Sequence, residues 1–515
     1  MKKILLPVFS FLLLFTSCKN QSRKQEDPEP EKALSVIEQA ILQDKQSPFY
    51  IDFGAYGHID KNMAIGVFDS GTGGLTVLDA LVRYDENDNE SRTQGRDGAY
   101  DFVNEKFIYL ADQANMPYGN YHSENKSDLL REHIIKDVQF LLADRYYAAA
   151  DRKTKKHDKE KIKAVVVACN TATAYGMKEI GAFLEETDLG IPVIGVIDAG
   201  ARGVLNEFGK QEDGAIGVFA TVGTIASEGY ENTIIRQKNA LGYTGNIQVF
   251  NQGGHGVAEA IDGEPDFIDK AATSPRDNYR GPDLDNEHHA IDRTLMEVYN
   301  FDFDHGKMLC DNENTDDCRI LQINDTENYI RYHLVSLMEK IRQSENAQPL
   351  KALVLGCTHY PYMTGSIQKV FEELYDYKGD GGDYVYRDLM AEEIKIIDPA
   401  VYVAKELYDT LKEKNLLNDK ADMFGESEFY ISVPNTDNQG TALDRAGKFT
   451  YDYKYGREAG NIQEYVKRVP FSRQNISGDI IERLRTSVPA TFKMISGFNN
   501  RNPKLEDLPA KDKIQ

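Results

Sequence analysis

Two cysteines of this 515-residue chain stand in matching surroundings. Lys163-Ala164-Val165-Val166-Val167-Ala168-Cys169-Asn170-Thr171 is an apolar run that ends in a small residue, a thiol and polar groups. Lys351-Ala352-Leu353-Val354-Leu355-Gly356-Cys357-Thr358-His359 repeats it. One cysteine after a buried run is commonly a small core residue. Two in a repeated context, each followed by groups that can donate or accept protons, point to chemistry. A free thiol ionises near pH 8.5, so a catalytic one needs help from its neighbours. Asp69 and His359 are the available helpers, one on a turn in each half of the chain. Two thiols facing each other can remove a proton from one face of a carbon and return one to the other face, which a single base cannot easily do.

A second matched pair precedes the thiols: Ile65-Gly66-Val67-Phe68-Asp69-Ser70-Gly71-Thr72 and Ile216-Gly217-Val218-Phe219-Ala220-Thr221-Val222-Gly223. Each is an apolar run closed by a Gly/Ser/Thr turn. The turn Asp69 to Gly74, opening a helix at Leu75, is expected to offer backbone N–H groups to a substrate carboxylate and to the charge that develops on it. It lacks the Gly-Lys-Ser/Thr of a phosphate loop.

Val/Ile/Leu runs bounded by glycine and polar turns are the pattern of strands buried on both faces. Helical patterns lie between them, at Leu75 to Arg83, Leu129 to Leu142 and Ile330 to Arg342. The alternation predicts an α/β protein of two pseudo-symmetric domains, with mainly parallel sheets facing a central cleft. Ligands of such sheets bind off the carboxyl ends of the strands, where Asp69, Cys169, Thr221 and Cys357 fall. Arg152 to Lys163 reads as a solvated charged loop. Residues 262–320 read as a polar insertion, dispensable for chemistry, in which His288-His289 is expected to be a solvated pair and not a metal site. A net charge of −23 argues against nucleic-acid partners.

The chain begins with Lys2-Lys3, an apolar run from Ile4 to Phe15, and Thr16-Ser17-Cys18. The run is too short to span a bilayer and resembles a bacterial lipoprotein signal, with Cys18 as the lipidated residue; an ordinary cleaved secretion signal is the alternative. Either exports the protein, and lipidation would anchor it to a membrane on the periplasmic or surface side. In such an oxidising compartment Cys310 and Cys318 read as a local disulfide.

AIGVFDSGTGGLTVL, MPYGNY, VVVACNTATAYG and LVLGCTHYPYM resemble glutamate racemases of the aspartate/glutamate racemase superfamily, over roughly residues 63 to 405. The resemblance implies a cofactor-independent enzyme with an amino-acid substrate between two domains. It implies Cys169 and Cys357 as the acid/base pair, with Asp69 assisting the first thiol and His359 the second. Substrate contacts would come from Asp69, Ser70, Pro117, Tyr118, Gly119, Asn170, Thr171, Thr221, Thr224, Thr358 and His359. Glutamate is favoured over aspartate by the His359 that follows the second thiol. The expected division is a signal at 1–18, a tether and extension at 19–60, a first domain at 61–198 and a second at 199–394, with 395–515 returning to the first and extending it. The chain departs from the family at Asn251 to Gly256 and in its signal; Glu259 is expected to stand in for a family glutamate near the site. Two other functions stay open: racemisation or isomerisation of another amino or carboxylic acid, and non-catalytic ligand binding at a surface. Homo-oligomerisation is compatible with either.

Overall fold

The computed structural model describes residues 34–420 and 423–515. The proposed signal, Cys18 and residues 19–33 of the tether lie outside the described residues.

Two sheets carry the two halves. The first contains β1 (Ala64–Asp69), β2 (Phe107–Ala111), β3 (Ile162–Val167) and β4 (Val193–Gly195). The second contains β5 (Gly214–Ala220), β6 (Ile247–Gly253), β7 (Leu350–Gly356) and β8 (Met390–Ile397). Across the sheets the orders are β2-β1-β3-β4 and β6-β5-β7-β8, all parallel, so the repeat read in the sequence is a repeat of topology. The C-terminal region supplies β9 (Glu428–Pro434), parallel to β2, and β10 (Val466–Pro470), antiparallel to β9. The first sheet thereby reaches six strands.

β1, β3 and β5 are buried along their whole lengths, as their unbroken apolar runs require. Successive residues alternate between the two faces: Ile65 and Val67 pack into one core layer, Ala64 and Phe68 into the other. Two further layers cover the faces of the second sheet.

Two expectations about loops are corrected. Residues 152–163 are not simply solvated, because Lys159 and Lys163 are buried. Lys163 lies within β3, where its ammonium meets Glu105 Oε2 at 2.6 Å and the carbonyls of Lys61 and Leu416 at 2.7 and 2.8 Å. Lys159 donates to the Leu141 carbonyl at 2.9 Å. A buried ammonium is tolerable when its donors are met in this way.

The stretch 262–320 is likewise no mere surface insertion. Phe267, Ile291, Tyr299, Phe301 and Met308 pack into the same core layer as Leu353 and Cys357. Its apolar residues are spaced without helical or strand periodicity, so periodicity could not reveal this burial. His289 stacks on His255 with ring centroids 4.3 Å apart. Cys310 and Cys318 are joined by a disulfide, with Cα atoms 5.5 Å apart.

Candidate active site between the domains

Each candidate side chain leaves the carboxyl end of a parallel strand. Asp69 ends β1, and Cys357 follows β7 directly. Cys169 caps the helix Asn170–Glu186, its Sγ accepting the Ala172 N–H at 3.4 Å. Thr221 caps Val222–Ala226 in the same way through Thr224 N–H at 3.2 Å. A helix N-terminus favours negative charge, so Cys169 is positioned where a thiolate is supported.

The ends at Cys169, Thr221 and Cys357 converge on one pocket, whereas Asp69, expected to touch substrate, stands behind its wall, 3.5 Å from the Thr358 hydroxyl. Ser70, Pro117, Tyr118, Gly119, Cys169, Asn170, Thr171, Thr221, Cys357, Thr358 and His359 line it, together with Met116 and Ala258. One thiol comes from each domain, and both are free and buried. Thr224 stands behind the wall, its hydroxyl 3.0 Å from those of Thr171 and Thr221, and Thr171 and Thr221 meet at 2.9 Å across the domain boundary. Tyr230 donates to Asn170 Oδ1 at 2.5 Å, again from one domain to the other. The Tyr118 hydroxyl points away, to Asp112 and Asp137 at 2.6 Å each, so Tyr118 offers its ring and backbone to the pocket.

The cavity holds only about 20 Å³, space for about one water. Anything larger than a water enters only if the walls part. A larger hollow of about 690 Å³ lies elsewhere, lined by Thr76, Arg83, Tyr100, Tyr362 and Asp398. Neither thiol lines it.

The two thiols have unlike neighbours. Burial, reinforced by the nearby Asp69 carboxylate, pushes Cys169 well above the ordinary thiol range, while Ser70 Oγ sits 3.7 Å from its sulfur. Burial also raises Asp69, against the opposing pull of His359 and of the Gly71 and Gly74 N–H groups. Cys357 Sγ lies 3.8 Å from His359 Nδ1. At the other edge of that ring Nε2 forms an ion pair with Asp262 Oδ2 at 3.2 Å. Burial alone would strip the imidazole of its proton; the Asp262 carboxylate and, after it, Cys357 together outweigh it and hold the His359 pKa well above the usual histidine range. His359 and Arg483 in turn hold Asp262 well below the usual carboxylate range despite its burial.

One detail departs from the sequence reading, and a second goes beyond it. The N–H groups of Gly71 and Gly74 donate to Asp69 Oδ2 at 3.2 and 2.8 Å, so the turn spends them on fixing its own aspartate and not on a substrate carboxylate. The glycines matter sterically too: a Cβ at Gly73 would stand 2.6 Å from the His359 ring of the other domain. The second detail is the acid behind His359. Glu259 is buried and is pushed up to about 7 by that burial, but the carboxylate paired with the imidazole is Asp262. Asp262 was hidden as the first residue of the supposed insertion. Arg483 carried no signal in the tail; only its contacts reveal it. Among the described residues no group of three or more His, Cys, Asp or Glu side chains is placed to hold a metal ion.

Fold and site together define a class: a protein of two like α/β domains that brings one thiol from each to a closed interdomain pocket. No family model matches the chain. Its similarity is to glutamate racemases. The chain is 27% identical over 374 residues to a glutamate racemase of Oceanobacillus iheyensis, an alignment covering 73% of this chain and 87% of that protein. With a glutamate racemase of Enterococcus faecalis the identity is 37% over 171 residues, covering 33% and 46% of the two chains. A solved glutamate racemase structure from Bacillus anthracis aligns over 72% of this chain and 87% of its own, at 23% identity and a TM-score of 0.39. The resemblance read from the motifs thus extends along most of the chain.

Proposed function

We propose that this chain is a cofactor-independent amino-acid racemase that interconverts L- and D-glutamate by proton transfer between Cys169 and Cys357. The observation that carries the reading is the convergence of both thiols on one pocket, each with its own acid/base neighbour. The similarity to glutamate racemases supports the substrate.

The asymmetry of the site suits one stroke of the reaction. Cys169, buried beside a carboxylate, is set up to carry a proton. Cys357, whose sulfur lies 3.8 Å from the His359 imidazole, is placed to take one on the other face. The Cys357 thiolate removes the Cα proton from one face, and the Cys169 thiol delivers its own proton to the opposite face. The product leaves Cys357 as thiol and Cys169 as thiolate, ready for the reverse stroke. The helix N-terminus at Cys169 supports that second charge state.

In heavy water, product should carry deuterium at Cα from its first turnover while the remaining starting enantiomer stays protiated. Cys169→Ala and Cys357→Ala should each abolish racemisation, by well over the ~100-fold of one ordinary acid/base contact. Turnover surviving in either variant, or a folded wild-type protein inert toward both glutamate enantiomers, defeats the reading.

Export with lipidation at Cys18 is part of this proposal. It is supported by the Lys2-Lys3 start, the short apolar run and the small residues before the cysteine. The Cys310–Cys318 bond suits an oxidising compartment.

A further inference from the structure

Arg483 lies on the helix Gly478–Ser487, beyond residue 405, where the likeness of the motifs to glutamate racemases ends. Its guanidinium nevertheless reaches the back of the site. Nη2 donates to Asp262 Oδ1 at 2.6 Å and to Thr72 Oγ1 at 3.4 Å, and Nη1 donates to the Ile261 carbonyl. The group lies 5.0 Å from the Tyr362 ring centre. Thr72 belongs to the glycine turn of the first domain, whereas Ile261, Asp262 and Tyr362 belong to the second. One planar cation is therefore bonded to both walls of the cleft. Asp262 is almost wholly buried and has two oxygens, one spent on Arg483 and the other on His359.

We propose that Arg483 is an interdomain clasp and a positioning residue: it ties the cleft shut and, in doing so, holds Asp262 against the imidazole that serves Cys357. The C-terminal extension then couples closure to assembly of the second thiol's surroundings. The catalytic half of this inference rests on the racemase reading; the clasp does not. The closed cavity requires the walls to part for substrate, and, because the helix of Arg483 packs on the first domain, parting them breaks the Asp262 leg. A forked guanidinium can hold both legs at once, which a lysine ammonium at the end of a flexible stem does poorly. Losing the Asp262 leg leaves a buried carboxylate short of a charge-assisted hydrogen bond and free to shift relative to His359.

The test compares the full-length wild type with Arg483→Gln and Arg483→Lys in two measurements. The first is the rate of iodoacetamide labelling of Cys169 and Cys357 without substrate, read by peptide mass. The second is kcat and KM for glutamate racemisation. Arg483→Gln should speed labelling of both thiols severalfold, because the resting cleft opens, and should lower kcat by about 10- to 100-fold with KM moved less than threefold. Arg483→Lys should fall between it and the wild type, and it serves alone if the glutamine variant does not fold. Labelling at the wild-type rate in the variants overturns the clasp. Faster labelling with kcat unchanged overturns the positioning role. If the wild type has no turnover on glutamate, the racemase reading fails by itself while the labelling rates still decide the clasp.

Discussion

Asp262 is the carboxylate behind His359, the neighbour of the second thiol. Its carboxylate keeps a buried imidazole protonated that burial alone would neutralise. In Asp262→Asn that opposition is lost, so His359 should shed its proton at a lower pH than in the wild type. Histidine NMR should show an imidazolium persisting above pH 6.5 in the wild type and a neutral ring at the same pH in the variant; identical titrations would contradict the assignment. Racemisation should fall by about 10- to 100-fold. Glu259 makes a different prediction. Burial raises it from 4.5 to about 7, so the folded state prefers the protonated form. A raised carboxyl stabilises the fold fully below its unfolded value, and that contribution drains away as pH climbs through about 7. The loss between the two values is of order 3 kcal/mol. Glu259→Gln should flatten the fall of melting temperature between pH 5 and pH 7.5, and an unchanged slope would show that the carboxyl is paired in solution.

At the scale of elements, the stretch 262–320 has two parts with separate fates. Its apolar residues complete the second domain's core, and its first residue pairs with His359. Deleting 262–320 and joining the ends with a short linker should therefore remove turnover and destabilise the domain, which circular dichroism and assay would show together. A folded, active deletion would return the segment to the status of a surface loop. The loop closed by the disulfide is another matter. Cys310→Ser with Cys318→Ser opens a cross-link eight residues apart, which costs about 2–3 kcal/mol through the freedom restored to the unfolded chain. The double variant should melt lower but keep its kcat, because no pocket residue lies between the two cysteines.

At the scale of the molecule, the extension is built into the first domain. β9 and β10 continue its sheet, and Arg468 meets Asp137 Oδ1 at 3.1 Å, while Arg457 meets Asn115 Oδ1 at 2.8 Å. These cations serve the buried polar group that holds Tyr118, so truncation before residue 428 should unsettle the pocket floor as well as the sheet. The export proposal has its own check. Cys18→Ala should move the protein from the membrane fraction to the soluble exported fraction; wild-type protein found in the cytoplasm with an intact Met1 end would refute it.

The repeat of strand, turn and thiol was legible in the sequence because a strand buried on both faces admits almost only apolar residues, and a site at its end admits polar ones. Cys169, Cys357, Asp69 and His359, the α/β class and the pairing of two halves all follow from that local rule. The partners of those groups did not. Asp262 and Arg483 lie 97 and 124 residues from His359 in sequence; Asp262 meets the imidazole, and Arg483 meets Asp262, only because the chain folds the insertion and the extension back onto the cleft. The burial of Lys159 and Lys163 escaped for the same reason, since a charged residue reads as solvated until its distant partners are known. Local chemistry wrote the two thiols and the strands that carry them. Long-range packing alone chose which charges stand behind them and how tightly the cleft is closed.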